Sequence, residues 1–524
     1  MDLNITSVEA ALAARYDFIV VGAGAAGCAL AARLSDNPDL SVLLIEAGGS
    51  DRRPAVTDPG IWYTNLGTET EWGYHSQAHP AVNNRSVQMS MGRVIGGGSS
   101  INAMIWARGH KSDFDAWAKL SGDDGWRYQS VLDLYRSIED WSGPDPDGLR
   151  GKGGPVSVGL APDPHPIVPA MLQAAAEIGI PTVADHNGHM MEGGPGGCAV
   201  ANLLIRDGKR FSMADAYLRP AAGRTNLAIL SGAEVLRLCF DGTRVTGTEI
   251  LIGGRVVALS ATQEVALCAG AINTPKILML SGLGDADALA AIGIDCRAHL
   301  PGIGQNLQDH PFLAGCIWEY REPMPPRNNS TECTFFWKSD PTLEVPDLQP
   351  FQIEVPYASD RVSQRYDIPP NCWTLGVGLV RPYSTGSVTL TSADPAAAPR
   401  IDLNMLTDER DVTALLQGIE LCRTIGNSDA LSPFTLRELV PGPLTGDSLL
   451  SFVRDSAVSY KHQSCTARMG RDDLSVVDGK LQVHGITGLR IVDASIMPFV
   501  TTGNTMAPTV LIAEKAAADI LASR

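Results

Sequence analysis

Three glycines, Gly22, Gly24 and Gly27, stand at the spacing G-x-G-x-x-G, and a carboxylate, Glu46, follows about 20 residues later. That set suits a dinucleotide. Glycine at 22 permits a tight turn, at 24 it lets the backbone approach a pyrophosphate, and at 27 it lets a helix pack closely on a strand. Free N–H groups at the helix start then face the phosphates. Glu46 can accept hydrogen bonds from both ribose hydroxyls, and an NADP 2′-phosphate beside it would be repelled. A second glycine run, Gly96-Gly97-Gly98 before Ser99 and Ser100, is a loop stripped of side chains. Its backbone amides suit a flat, polar-edged ring, with Asn102 a neutral hydrogen-bonding group close behind. The ten cysteines are scattered, with no C-x-x-C pair and no Cys/His cluster at zinc spacing. Neither a disulfide framework nor a metal is expected, and a reducing compartment is.

The elements that must position these groups are legible beside them. Tyr16–Val21 (YDFIVV) is a short apolar run, as in a strand buried on both faces of a parallel sheet. An alanine-rich amphipathic stretch from Ala25 to Ser35 reads as the helix, and Ser41–Ile45 as a second strand delivering Glu46. Met1 to Arg15 reads as a polar-edged helix running into the first strand. At 524 residues the chain predicts two intimately connected domains. Hydrophobic residues at 44% and charged residues at 19% place it with globular enzymes. A net charge of −17 argues against nucleic acid and against a polybasic membrane anchor. No stretch approaches 18 uninterrupted apolar residues, so no membrane span is expected, and the cytoplasm is the default location.

Four further segments resemble the glucose–methanol–choline (GMC) oxidoreductase family. The first is Gly92-Arg93-Val94-Ile95-Gly96-Gly97-Gly98-Ser99-Ser100-Ile101-Asn102, leading into Trp106 and Gly109. The second is Gly270-Ala271-Ile272-Asn273-Thr274-Pro275, continuing through Leu280-Ser281-Gly282-Leu283-Gly284, and the third runs from Pro301 to His310. The fourth is the C-terminal block with His462, Thr466, Met469-Gly470, Asp493-Ala494-Ser495, Gly503-Asn504 and Pro508-Thr509. The resemblance implies an α/β fold: a Rossmann-like FAD-binding domain, discontinuous in sequence, plus an α+β substrate domain built on an antiparallel sheet. The expected division is 1–155, 196–310 and 456–524 for the first, and 156–195 and 311–455 for the second. Examples of strands in the second are Cys372–Val380 and Gly386–Leu390.

The same resemblance implies oxidation of a primary alcohol to an aldehyde by hydride transfer to FAD. Histidine suits removal of the hydroxyl proton near neutral pH. By the resemblance that residue is His462, and the partner position, filled in the family by His or Asn, is Asn504. The implied cofactor contacts are Gly22, Gly24, Ala25, Ala26, Gly27, Glu46, Ala47, Trp72, Arg93, Gly97, Gly98, Ser100, Asn102, Ala103, Met104, Val235, Ala269, Gly270, Asp493, Ala494, Asn504, Thr505 and Met506. Where some members bond the flavin covalently through histidine, this chain has Ile101, so FAD is expected to be dissociable. The last helix, from about Pro508 to Ala522, would turn its positive end toward the flavin. The chain departs from the pattern at Cys465, where the family has glycine. The departure makes the local backbone less permissive, and a thiol-nucleophile role is not expected.

His310 is expected to be structural, near the domain junction, and His75, His79, His110 and His484 to be surface or loop residues. Aromatics at Phe335, Phe336, Trp337, Phe351 and Tyr357 are core or pocket, with core the commoner role. Glu354 is expected to be solvated. The favoured substrate carries its alcohol on an aromatic or heteroaromatic ring, such as a pyridoxine, benzylic or furanic alcohol. O₂ or a quinone-type acceptor reoxidises the flavin, and the chain is a monomer or a small homo-oligomer. Alternatives are a choline or aliphatic alcohol dehydrogenase, and a redox-silent lyase resembling the hydroxynitrile lyases. A flavin-binding sensory protein and a pyridine-nucleotide dehydrogenase are weaker alternatives, since binding alone requires neither His462 nor Asn504, and no second nucleotide-binding half is evident.

Overall fold

The computed structural model describes residues 3–145 and 147–523. Its first sheet has seven strands, and its centre is the βαβ unit read from the glycine motif. Strand Tyr16–Val21 runs parallel to Val42–Glu46, with Phe18 opposite Val42 and Val21 opposite Ile45. Leu227–Ser231 extends the sheet beyond Val42–Glu46, and Arg255–Leu267 lies on the other side of Tyr16–Val21. The long strand Arg255–Leu267 serves three partners: its end runs parallel to Tyr16–Val21 and Leu489–Ile491, and its start pairs antiparallel with Arg244–Ile252. Both strands of the motif are buried, as helices on the two sides of a parallel sheet require.

Helix Ala25–Leu34 packs against the terminal helix Met506–Ala522. The pair is tied by Arg33, whose Nε donates to Glu514 at 2.8 Å, while the Tyr217 hydroxyl donates to the same carboxylate at 2.6 Å. The terminal helix begins at Met506, two residues before Pro508 and so about half a turn earlier than the proline suggests.

The second sheet has eight strands joined by antiparallel pairings. Helix Glu409–Gly426 covers strand Cys372–Leu379, close enough that a Cβ on Gly418 would meet Val377 at 2.8 Å. Trp318 and Trp373 stack across paired strands at 4.5 Å. Side chains alternate across a pleated strand, so Gln349, Phe351 and Ile353 of Leu348–Ile353 share the face turned away from that helix.

Three expectations about this sheet need correcting. The expected boundaries place Gly197–Val200 and Ala457–Ser459 in the nucleotide domain, yet they pair with Cys333–Phe336 and Pro311–Leu313 in the eight-stranded sheet. Both segments are short and apolar, and such runs carry no mark of which sheet they join. Gly386–Thr389, expected with the substrate sheet, instead lies in a separate three-stranded sheet between Gln305–Leu307 and Arg400–Asp402.

Candidate active site

A cavity of about 780 Å³ lies between the two sheets and is lined by both. At its nucleotide end are Gly22, Gly24, Ala25, Ala26, Glu46, Ala47, Gly97, Gly98, Val235, Ala269 and Gly270. The glycines divide by what a side chain would meet. Gly22 has φ +99° and a Cβ there would press on the Cys268 carbonyl, while one on Gly27 would collide with the Gly22 carbonyl. Those two serve packing. A Cβ on Gly24 would find only the Cys268 oxygen, at 4.0 Å, and one on Gly98 would find nothing. Among the described residues no protein atom requires glycine at either position, and both line the cavity, where a bound ligand would supply the reason. The residues therefore fit a flavin dinucleotide.

Glu46 accepts from the backbone N–H of Ala23 at 2.8 Å and of Gly48 at 2.7 Å, which fixes the carboxylate at the cavity wall. Burial pushes its pKa up to about 7, and those two amide donors pull against the rise. Ribose hydroxyl donors would favour its ionised form in the same way.

Trp72, Asn102, Ala103, Asp493, Ala494, Asn504, Thr505 and Met506 also line the cavity, but Gly27, Arg93, Ser100 and Met104 do not. Arg93 lies over the Trp72 ring at 5.0 Å and faces Glu234. The Ser100 hydroxyl donates to the Ile95 carbonyl at 2.7 Å, and Met104 is buried with φ +60°. The Ser100 bond closes the loop that presents Gly97 and Gly98. Asp493 meets its partners within the protein: it accepts from Gly270 N–H at 2.9 Å, Thr274 at 2.6 Å and Ser495 at 2.5 Å. It ties the first turn of helix Gly270–Leu280 to the turn at Ala494.

At the other end stand His462 and Asn504. Asn504 Nδ2 lies 3.2 Å from His462 Nε2, and Asn504 Oδ1 accepts from Gln349 Nε2 at 3.1 Å. Since the amide oxygen is already taken by Gln349, the amide nitrogen faces His462, and Nε2 answers with its lone pair. The imidazole proton is then on Nδ1, which lies 2.9 Å from His310 Nδ1. Burial, then the repulsion a protonated His310 would exert and the Lys461 charge, holds the His462 pKa well below the usual range. Burial also brings His310 down to about 3. Both rings are neutral, and His462 presents a basic nitrogen to the cavity. The backbone beneath is held by Asp309, which accepts from His462 N–H at 2.9 Å and from Gln463 at 3.0 Å.

His310 is thus more than a structural residue at a junction, because it meets the ring of His462 directly. Cys465 has φ +74°, in the left-handed region that favours glycine, which accounts for the family's preference there. Its thiol is buried, and burial pushes it up to about 12, which opposes the thiolate that a nucleophile needs.

Phe312, Phe351, Tyr357 and Tyr460 form the aromatic wall facing His462. Phe312 and Tyr460 lie 4.7 Å apart, and Tyr460 lies 4.6 Å from the His462 ring. Of the aromatics expected as candidates, Phe351 and Tyr357 line the cavity; Phe335, Phe336 and Trp337 do not, and Phe336 packs beneath Gly503. His110 is the loop residue expected, though buried rather than at the surface: its Nδ1 accepts from Ser112 N–H at 3.1 Å and caps helix Lys111–Ser121. One further expectation fails. Glu354 is buried, not solvated. It accepts from Arg327 N–H at 2.6 Å, and burial, reinforced by the Glu332 charge, raises its pKa well above the carboxylate range. Residues missed by sequence reasoning are Gln349, Asp309, Phe312, Tyr460 and Lys461. Asp309 lies beside His310, and Lys461 and Tyr460 directly precede His462, a usable signal; Gln349 and Phe312 carry none.

Comparison with known proteins agrees with this geometry. Two family models, both described as GMC oxidoreductase, match residues 16–312 and 382–513. The chain is 38% identical to mitochondrial choline dehydrogenase of Mus musculus, covering 96% of this chain and 89% of that protein. It is 36% identical to the oxygen-dependent choline dehydrogenase of Rhizobium etli, over 96% of this chain and 95% of that one. Among solved structures, pyridoxine 4-oxidase from Mesorbium loti superposes with a TM-score of 0.91 at 36% identity, covering 96% and 99% of the two chains. Among the described residues no helix is long and apolar enough to cross a membrane. With a Rossmann-like sheet, a second antiparallel sheet and a flavin-sized cavity between them, the chain belongs to the GMC oxidoreductase family and is an FAD-dependent alcohol oxidase or dehydrogenase.

Proposed function

We propose that the chain oxidises a primary alcohol on an aromatic or heteroaromatic ring to the aldehyde, with His462 as the base. The observation that carries this reading is the contact between His462 Nε2 and Asn504 Nδ2, 3.2 Å apart, opposite an aromatic wall. A hydroxyl entering there donates its proton to Nε2 and accepts from the Asn504 amide. One group takes the proton while the other holds the oxygen as negative charge grows. Bound FAD supplies the hydride acceptor. His310 Nδ1 keeps the His462 ring in the tautomer with its lone pair toward the cavity. The start of helix Met506–Ala522, with Thr505 and Met506 on the wall, turns its N–H groups and positive end toward the same space. Ile101 lines the cavity where some members carry a histidine, so FAD is held by dissociable contacts.

The substrate reading rests on the walls. Phe312, Phe351, Tyr357 and Tyr460 suit a flat ring, and the pyridoxine oxidase likeness points the same way. The choline dehydrogenases support a second reading, since aromatic faces also hold quaternary ammonium. Lys461 on the same wall opposes it by like charge.

The test is an anaerobic titration of the purified holoprotein with benzylic, pyridoxine-type and furanic alcohols and choline, followed by the flavin absorbance. Bleaching by the ring alcohols is expected. Bleaching by choline alone would overturn the substrate, and a flavin that no alcohol bleaches would point to lyase chemistry. Readmitting air then separates an oxidase from a dehydrogenase that needs a quinone-type acceptor.

A further inference from the structure

We propose that Lys461 forms an anion-reading subsite at the substrate end of the cavity, so that the preferred ring alcohol carries a carboxylate or phenolate. The inference rests on the reading of the cavity as the site of a ring alcohol. Lys461 sits between Tyr460 and His462 and lines the same space. Its backbone is left-handed, φ +68°, an unfavourable conformation for lysine, and is held there by its N–H donating to the Ser459 hydroxyl at 2.9 Å.

Among the described residues no carboxylate forms an ion pair with this ammonium. Its aromatic contact is Tyr357, with Nζ 5.9 Å from the ring centroid, at the outer edge of useful cation–π attraction. The carboxylates that line the cavity are Glu46, Glu234 and Asp493, all on elements of the first sheet or beside it. The other lining cation, Lys276, belongs to helix Gly270–Leu280 at that nucleotide end. Asp309, whose charge acts on Lys461, is engaged by Ser459, Gln463 and the His462 N–H and does not line the cavity, so this end of the cavity carries a positive charge with no ion-pair partner, beside aromatic walls. A ring with an anionic substituent completes it, and a quaternary ammonium would add a second cation. The net charge of −17 does not reverse this preference, because charges beyond about 10 Å are screened at ordinary salt.

The test compares 4-(hydroxymethyl)benzoate with 4-methylbenzyl alcohol, a pair of similar shape that differs in charge. In the wild type kcat/KM is expected to favour the carboxylate by roughly 10- to 100-fold, the range of one charge-assisted hydrogen bond. Lys461→Met should erase that ratio and Lys461→Arg should keep most of it. As a binding readout, 4-methylbenzoate titrated into the holoprotein and followed by tryptophan fluorescence (Trp62 and Trp72 line the cavity) should bind more weakly to Lys461→Met by a similar factor. A wild type that prefers the neutral alcohol, or a ratio unchanged in Lys461→Met, overturns the subsite. If neither alcohol is oxidised, the ring-alcohol reading fails by itself, and the 4-methylbenzoate titration still decides for or against the anion site.

Discussion

His462 owes its neutral, proton-accepting form to location more than to type. An exposed histidine titrates near 6.5 and would be half charged in mildly acidic solution. Here burial comes first, and the repulsion a protonated His310 would exert and the Lys461 charge add to it, so the folded protein keeps the imidazole neutral to lower pH. The sign is clear: a lowered pKa preserves the neutral, proton-accepting form, and activity is lost only as pH falls through the lowered value. The acid limb of kcat/KM is therefore expected below pH 6.5, and a limb at or above 6.5 would refute the assignment. His462→Ala should lower the rate of flavin reduction by about 10²–10⁴, the scale of a lost general base. Stopped-flow absorbance measures that rate, and FAD content measured beside it should stay near normal; an apoprotein would make the residue structural.

At the scale of elements, the two glycine segments meet. Gly97 lies so close to Gly24 that a Cβ on it would come within 2.6 Å of the Gly24 Cα. The strand–helix turn and the second glycine loop thus form one surface, though 73 residues of sequence separate the two glycines (97 − 24). Gly24 itself has room over it, its nearest protein atom 4.0 Å from an added Cβ. Gly24→Val is accordingly expected to fold with wild-type circular dichroism while losing FAD, because its side chain fills the space a pyrophosphate would take. Retention of a full flavin complement by that variant would count against the cradle. The motif's strands and helix were legible because strand burial and glycine spacing are local properties. Cys465 shows the limit: its φ of +74° was not legible from the residue, which rarely adopts it, but only from the family's glycine at that place.

The whole molecule closes its cavity with parts from both sheets, so bound FAD buttresses the space between them. Ligand binding to the native state alone adds about 4 kcal/mol when the free ligand is 1,000-fold above Kd. Removing FAD should therefore lower Tm by at least a few degrees, with readdition restoring it, as scanning calorimetry would show. Equal Tm values for the apo and holo forms would mean that the sheets are held together without the cofactor.

From the sequence alone came the nucleotide-binding unit, the family, the pair His462 and Asn504, and most of the residues at the cofactor end. These were legible because each depends on a short run of residues, or on a motif whose spacing backbone geometry enforces. Tertiary structure alone decided that Gln349 orients Asn504, that His310 touches His462, that Phe312 and Tyr460 make the wall, and that Glu354 is buried. The same holds for Gly197–Val200 and Ala457–Ser459 joining the second sheet. Each of these is a contact between segments far apart in the chain, set by which strands pair and which face turns inward. No local pattern encodes that choice, since an apolar strand fits either sheet and a glutamate is buried or solvated according to what lies across from it.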